Sequence, residues 1–194
     1  MMRNPCDTAA SCGEKVGGLD RAGKEAQPVL DLMKIFDSAF DVFLEQERKN
    51  IIKNISERNL CGRLMIYLDK AREEQHLYDY YTDTEYNRNL GEVKRIGDKP
   101  ITCDLILHSR GELPRDNLIA IEMKKTHHKK VDKDADRKRL IDLTSPREGY
   151  RYELGLFIEL GIAQAKVEPK VKYMIEIYRN GKKNSRKSNS DQRS

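Results

Sequence analysis

The sequence is short of the side chains that build protein interiors: hydrophobic residues supply 38% of its 194 positions, while Asp, Glu, Lys and Arg supply 36%. Globular domains usually carry about 45–50% apolar residues and about a quarter charged ones. One core of ordinary size is therefore the expectation, with part of the chain left outside it. A cysteine framework is also lacking. Cys6, Cys12, Cys61 and Cys103 offer only a loose C-x5-C, which excludes a zinc spacing or disulfide scaffold and points to a reduced, cytoplasmic setting. No apolar run approaches the roughly 18 residues of a membrane span, and no secretory leader is visible, so no membrane partner is expected. What is present in excess is positive charge. The net charge is +5, and the closing stretch RNGKKNSRKSNSDQRS is almost entirely basic and polar. Such a surface attracts phosphate backbones or acidic membranes without specifying either.

Residues 1–28 hold Gly, Ala, Ser and charges and read as a disordered leader; residues 179–194 read as a disordered basic tail. Between them, 29–178 reads as one domain with an N-terminal helical extension. Met33, Phe36, Phe40, Phe43 and Leu44 recur at steps of three and four from Leu32, which predicts an amphipathic helix. Ser56 is a good N-cap for a second helix, with Leu60, Leu64 and Leu68 on one stripe and Glu57 on the same side. The period then changes to two. Tyr78–Tyr86, Ile101–His108 and Asn117–Lys125 read as strands, the last two joined by the loop SRGELPRD. Residues 129–144 read as a solvated helix with Ala135, Leu140 and Leu143 as a thin apolar edge, and strands follow in YRYELGLFIELG and Val171–Tyr178. The expected class is α/β, a mixed central sheet flanked by helices.

Two acids interrupt apolar strands. Asp104 lies inside CDLILH and Glu122 inside NLIAIEMKK, and alternation along the strand puts Lys124 on the same face as Glu122. An antiparallel pairing in a register that sets Asp104 across from or diagonal to Glu122 would bring both carboxylates near each other. Carboxylates so placed repel and are costly to desolvate, and a divalent cation offsets both effects. Mg²⁺ takes hard oxygen ligands, one or two carboxylates plus waters and phosphate oxygens. A lysine alongside can hold an attacking water or neutralise developing charge.

The strand with Asp104, the strand with Glu122-Met123-Lys124 and the upstream helix with Glu57 together resemble the PD-(D/E)xK nuclease superfamily, the restriction-endonuclease-like fold. The resemblance covers about half of the chain, from Ser56 to Leu160, and implies a core ordered α-β-β-β-α-β. It further implies a Mg²⁺- or Mn²⁺-dependent nuclease acting on DNA in preference to RNA. Asp104, Glu122 and the Met123 carbonyl would bind metal, Lys124 would position or activate the water, and Glu57 would support the metal from its helix. The proline of the family name is Cys103 here, a departure at a variable position. TDTEYNRN also resembles a segment of small uncharacterised members, which would put Glu85 and Arg88 at the border of the site.

Other uses of the same residues are weighed alongside. Lys125, Lys129, Lys130, Lys133, Arg137, Lys138 and Arg139 suit either a solvated helix face or a patch gripping a nucleic-acid backbone, with Lys125, Lys129, Lys130, Arg137 and Lys138 as candidate contacts. His127 and His128 fit a loop near phosphate. Glu57 also fits a first-turn carboxylate favoured by the helix dipole. Tyr78, Tyr80, Tyr81 and Tyr86 fit core and sheet rim better than base stacking. The alternative function is a nuclease-like module that binds nucleic acid or a protein without cutting. A third reading makes the Phe36, Phe40 and Phe43 helix a dimerisation element, and a homodimer is also compatible with a nuclease that cuts both strands.

Overall fold

A cap opens the first helix. Asp31 accepts the amides of Met33 and Lys34 at 3.1 and 3.2 Å, and α1 (Leu32–Gln46) follows. The computed structural model describes residues 30–89, 92–93, 95–96, 99–147, 149–165 and 168–188. The expected leader and the last residues of the expected tail, 189–194, lie outside them. From Asp31 onward the chain forms one unit.

The phenylalanine stripe of α1 is wholly enclosed: Phe36, Phe40 and Phe43 are 0–1% exposed. Phe40 stacks on both neighbours at 5.2 and 5.7 Å and meets the Tyr173 ring edge-on at 5.2 Å. These rings have no surface left for a second copy, which corrects the dimerisation reading of this stripe. After the short α2 (Arg48–Ile52), Ser56 caps α3 (Glu57–Glu74) by accepting the Asn59 amide at 3.3 Å. Leu60, Leu64 and Leu68 are buried, as their spacing predicts.

The sheet begins with β1 (Tyr81–Tyr86), shorter than the Tyr78–Tyr86 expected. Two small hairpins not foreseen in the sequence follow, β2 (Arg88–Asn89) with β3 (Glu92–Val93) and β4 (Arg95–Ile96) with β5 (Lys99–Pro100). Then come β6 (Cys103–His108), β7 (Asn117–Lys125), α4 (Lys130–Thr144), β8 (Leu154–Ala163), β9 (Lys170–Arg179) and β10 (Lys182–Ser188). Six strands make one sheet in the order β1-β6-β7-β8-β9-β10. Only β7 and β8 run parallel, because α4 crosses between them; the other neighbours are antiparallel. The fold is thus α/β with a mixed central sheet and flanking helices.

β10 corrects the expected basic tail. Lys182–Ser188 pairs with β9 through a turn at Asn180 and Gly181, both with positive φ. Its sequence KKNSRKS has no apolar alternation to read, since an edge strand gains its backbone bonds whatever its side chains, and lysines there discourage further pairing.

β7 lies under helices on both faces. Ala120 belongs to a buried cluster with Ile106, Phe157, Tyr178 and, from α4, Leu140 and Leu143. Met123, on the other face, has its sulfur 3.9 Å from Cys61 of α3. Burial on both sides explains the unbroken apolar run Leu118–Ile121. It also corrects the reading of α4 as a solvated helix. Ala135 is exposed, while Lys133 and Asp136 are turned inward with Leu140 and Leu143.

Candidate active site

The register Leu105↔Ile121 sets Asp104 and Glu122 across from each other where the β6–β7 ladder ends. Met123 donates its amide to Asp104 Oδ2 at 2.9 Å, so the carboxylate is tied to the strand that carries its partner. Glu122 is 0% exposed. Its Oε1 accepts from Arg139 of α4 at 2.7 Å, and its Oε2 accepts no hydrogen bond from any described residue.

Lys124, on the same face, is caged by acids. Its Nζ lies 3.1 Å from Asp136 Oδ2, an ion pair without hydrogen-bond alignment, 3.5 Å from Glu57 Oε2 and 3.4 Å from the Met123 carbonyl. Glu57 works from the first turn of α3. Its Oε1 accepts the Lys125 amide at 2.8 Å and lies 3.0 Å from His128 Nδ1, which pins the end of β7 to the start of the helix. A cleft of about 270 Å³ opens here, lined by Glu57, Arg58, Cys61, Thr84, Glu85 and Asp104. Glu85, at φ 52°, pairs with Arg58 at 2.6 Å across it. A larger hollow of about 620 Å³ surrounds Pro114, Asn117 and Tyr150 near the other end of β7 and contains none of these groups.

The electrostatics follow from burial and crowding. Enclosure pushes the Glu122 carboxyl well above the usual range, the charge of Asp104 adds to that, and Arg139 only partly opposes it. Asp136 is likewise raised by burial against the pull of Lys124 and Arg139. Burial alone would lower Lys124, but Asp104, Asp136 and Glu57 outweigh it and hold the ammonium above the ordinary lysine range. Lys124 is therefore held in its charged, hydrogen-bond-donating form at neutral pH. Burial, with Asp104, Glu122 and Glu57 nearby, raises the Cys61 thiol too and makes it a poor nucleophile.

Asp104, Glu122, Lys124 and Glu57 are thus brought together, with Glu85 on the cleft wall. The side chain of Arg88 lies outside the described residues. Three of the expected basic contacts are engaged within the chain. Arg137 is held by Glu176 at 2.8 Å and Asp134 at 3.0 Å and lies over the Phe157 ring at 4.3 Å. Lys125 Nζ bonds Asn54, and Lys138 pairs with Asp142 at 2.7 Å. Lys129 and Lys130 are exposed at the start of α4.

Two residues join the site in roles the sequence does not suggest: Asp136, and Arg139, which suits a solvated face or a backbone-gripping patch by sequence and instead bonds Glu122. A signal for the inward turn of Asp136 existed. Lys133, Asp136, Leu140 and Leu143 follow one another at steps of three and four, so the stripe that carries the leucines inward carries the charges inward as well.

Asp104, Glu122 and the Met123 carbonyl are three hard oxygen donors at one strand end. That set suits a hard divalent cation which keeps part of its water shell. Among the described residues no cluster of three or more His, Cys, Asp or Glu side chains forms a ready metal cage. No family model, curated protein or solved structure matches the chain.

Proposed function

We propose that the protein is a Mg²⁺- or Mn²⁺-dependent nuclease with a restriction-endonuclease-like core that hydrolyses phosphodiester bonds, in DNA before RNA. The observation that carries this reading is Glu122: a wholly buried carboxylate with one unpaired oxygen, set across from Asp104 and two residues from a lysine kept charged. Structural economy alone disfavours such a group, since an unsatisfied buried polar atom costs about 1–3 kcal/mol.

In this reading Asp104, Glu122 and the Met123 carbonyl hold the cation. Once bound, it supplies Lewis acidity to a phosphoryl oxygen and to water. Lys124 donates to the attacking water or to a non-bridging phosphate oxygen and stabilises the charge that builds there. Asp136 and Glu57 fix where that ammonium sits. The exposed Lys129 and Lys130 at the start of α4 lie close in sequence to the site and are suited to backbone phosphates.

Incubation with plasmid, linear and single-stranded DNA plus Mg²⁺ or Mn²⁺ tests it. Cleavage by the wild type with loss of at least about a hundredfold in Glu122→Ala and Lys124→Ala is expected. Equal activity in all three proteins would falsify the assignment.

One observation favours a second reading. Arg139 already neutralises Glu122, as it would in a nuclease-like module that binds without cutting. Calorimetric titration separates the two, because such a module takes up no divalent ion at millimolar concentration.

A further inference from the structure

We infer that Arg139 is the resident counter-cation of this site, a guanidinium that competes with a divalent ion for the charge of Glu122. The inference rests on the metal-site reading above and adds a control to it.

The chain contains its own comparison. Three glutamates are buried among the described residues: Glu47, Glu122 and Glu176. Glu47 fills both oxygens, Oε1 from Arg63 at 2.6 Å and Tyr67 at 2.8 Å, Oε2 from Asn50 at 2.6 Å. Glu176 does the same, Oε2 from Arg137 and Tyr178 at 2.8 Å each, with Lys183 2.8 Å from Oε1. Those are finished structural ion pairs. Glu122 is the most deeply buried of the three and has one oxygen satisfied and the other unpaired. An ion pair built only for stability would not leave the costlier half of the carboxylate open.

Arg139 is also placed so that it can leave. Its side chain is 26% exposed, which gives it a route toward solvent that Glu122 lacks. The nitrogen that bonds Glu122, Nη1, also bonds Asp136 Oδ1 at 3.0 Å one turn earlier on the same helix. When a metal takes Glu122, the guanidinium keeps that anchor, so release costs one ion pair and a side-chain rotation without any shift of backbone. Asp136 in turn lies against Lys124 through its other oxygen. Both cations at the site thus share one acid on α4, and loading the metal redistributes charge among residues already in contact.

A site with such a built-in competitor binds its metal more weakly than its ligands allow, and gains a folded metal-free state in return. The test is Mn²⁺ titration by calorimetry at pH 7.5 of wild type, Arg139→Gln and Glu122→Gln. Binding in Arg139→Gln tighter by about tenfold or more, with none in Glu122→Gln, is the expected result. Wild-type affinity or weaker in a folded Arg139→Gln protein overturns the inference and leaves the metal site standing. No binding in wild type and Arg139→Gln, or binding undiminished in Glu122→Gln, overturns the metal-site reading and the inference with it. Should Arg139→Gln not fold, the wild type decides. The guanidinium signal of Arg139, assigned by its loss in Arg139→Lys, should shift or change exchange rate in nitrogen-15 spectra on saturation with Mg²⁺. An unmoved signal under demonstrated saturation overturns the inference.

Discussion

At Glu122 the proposed metal site and the stability of the fold make opposite demands. The folded carboxyl holds its proton to higher pH than an unfolded one would, so the folded state binds more protons, and stability falls as pH rises from the ordinary carboxylate range through the folded value. Glu122→Gln removes that penalty. It should raise thermal stability at pH 8 by on the order of 1 kcal/mol while abolishing divalent binding, measured by calorimetric melting beside metal titration. Glu176 runs the opposite way. Despite its burial, hydrogen bonds from Lys183, Arg137 and Tyr178 lower its carboxyl below the usual range. Its contribution is full above the unfolded value of about 4.3 and is lost as pH falls through the folded one. Melts of Glu176→Gln should therefore show less loss of stability between pH 6 and pH 3 than the wild type does. Asp104, Glu122 and Lys124 were legible because an acid inside an apolar strand is conspicuous. Arg139 was not, because charges abound in the α4 sequence and it lies off the stripe of Lys133, Asp136, Leu140 and Leu143; that stripe marks Asp136 as inward but not which group it meets.

At the level of elements, α4 decides the geometry of the site, and Gly155 decides where α4 lies. A Cβ at Gly155 would stand 2.9 Å from Thr144 Cγ2 and 3.2 Å from Tyr178 Cβ, against the end of the helix and the neighbouring strand. Gly155→Ala should destabilise the fold by about 1–3 kcal/mol in denaturant unfolding, because the surrounding core cannot yield without moving α4. If cleavage depends on Asp136 fixing the Lys124 ammonium as proposed, the same variant should lose cleavage activity beyond what its unfolded fraction accounts for. α3 is a different case: Ser56, the leucine stripe and Glu57 are all local signals, and the helix Glu57–Glu74 starts and faces the core as they indicate. Leu64→Ala, at a position 0% exposed, should cost about 2–5 kcal/mol by the same measurement.

At the scale of the molecule, β10 closes the far edge of the sheet. Lys183 reaches Glu176 and Lys187 reaches Asp37 of α1, so the strand bonds to the sheet and to the N-terminal helix. Truncation after Arg179 should lower the melting temperature and promote aggregation seen by light scattering, because β9 would become an open edge. A disordered tail would be dispensable in the same assay. Strand β7, helix α3 and the α/β class could be read from the order of residues because hydrophobic period and capping act over a few positions. The hairpins β2–β3 and β4–β5, the strand β10 and the partners of the α4 charges could not. Their places depend on which backbone edge or buried acid lies opposite, and that partner comes from a distant part of the chain. Local chemistry named Asp104, Glu122 and Lys124; only the packing of α4 across β7 paired them with Arg139 and Asp136, since long-range burial alone selects which charge must answer another.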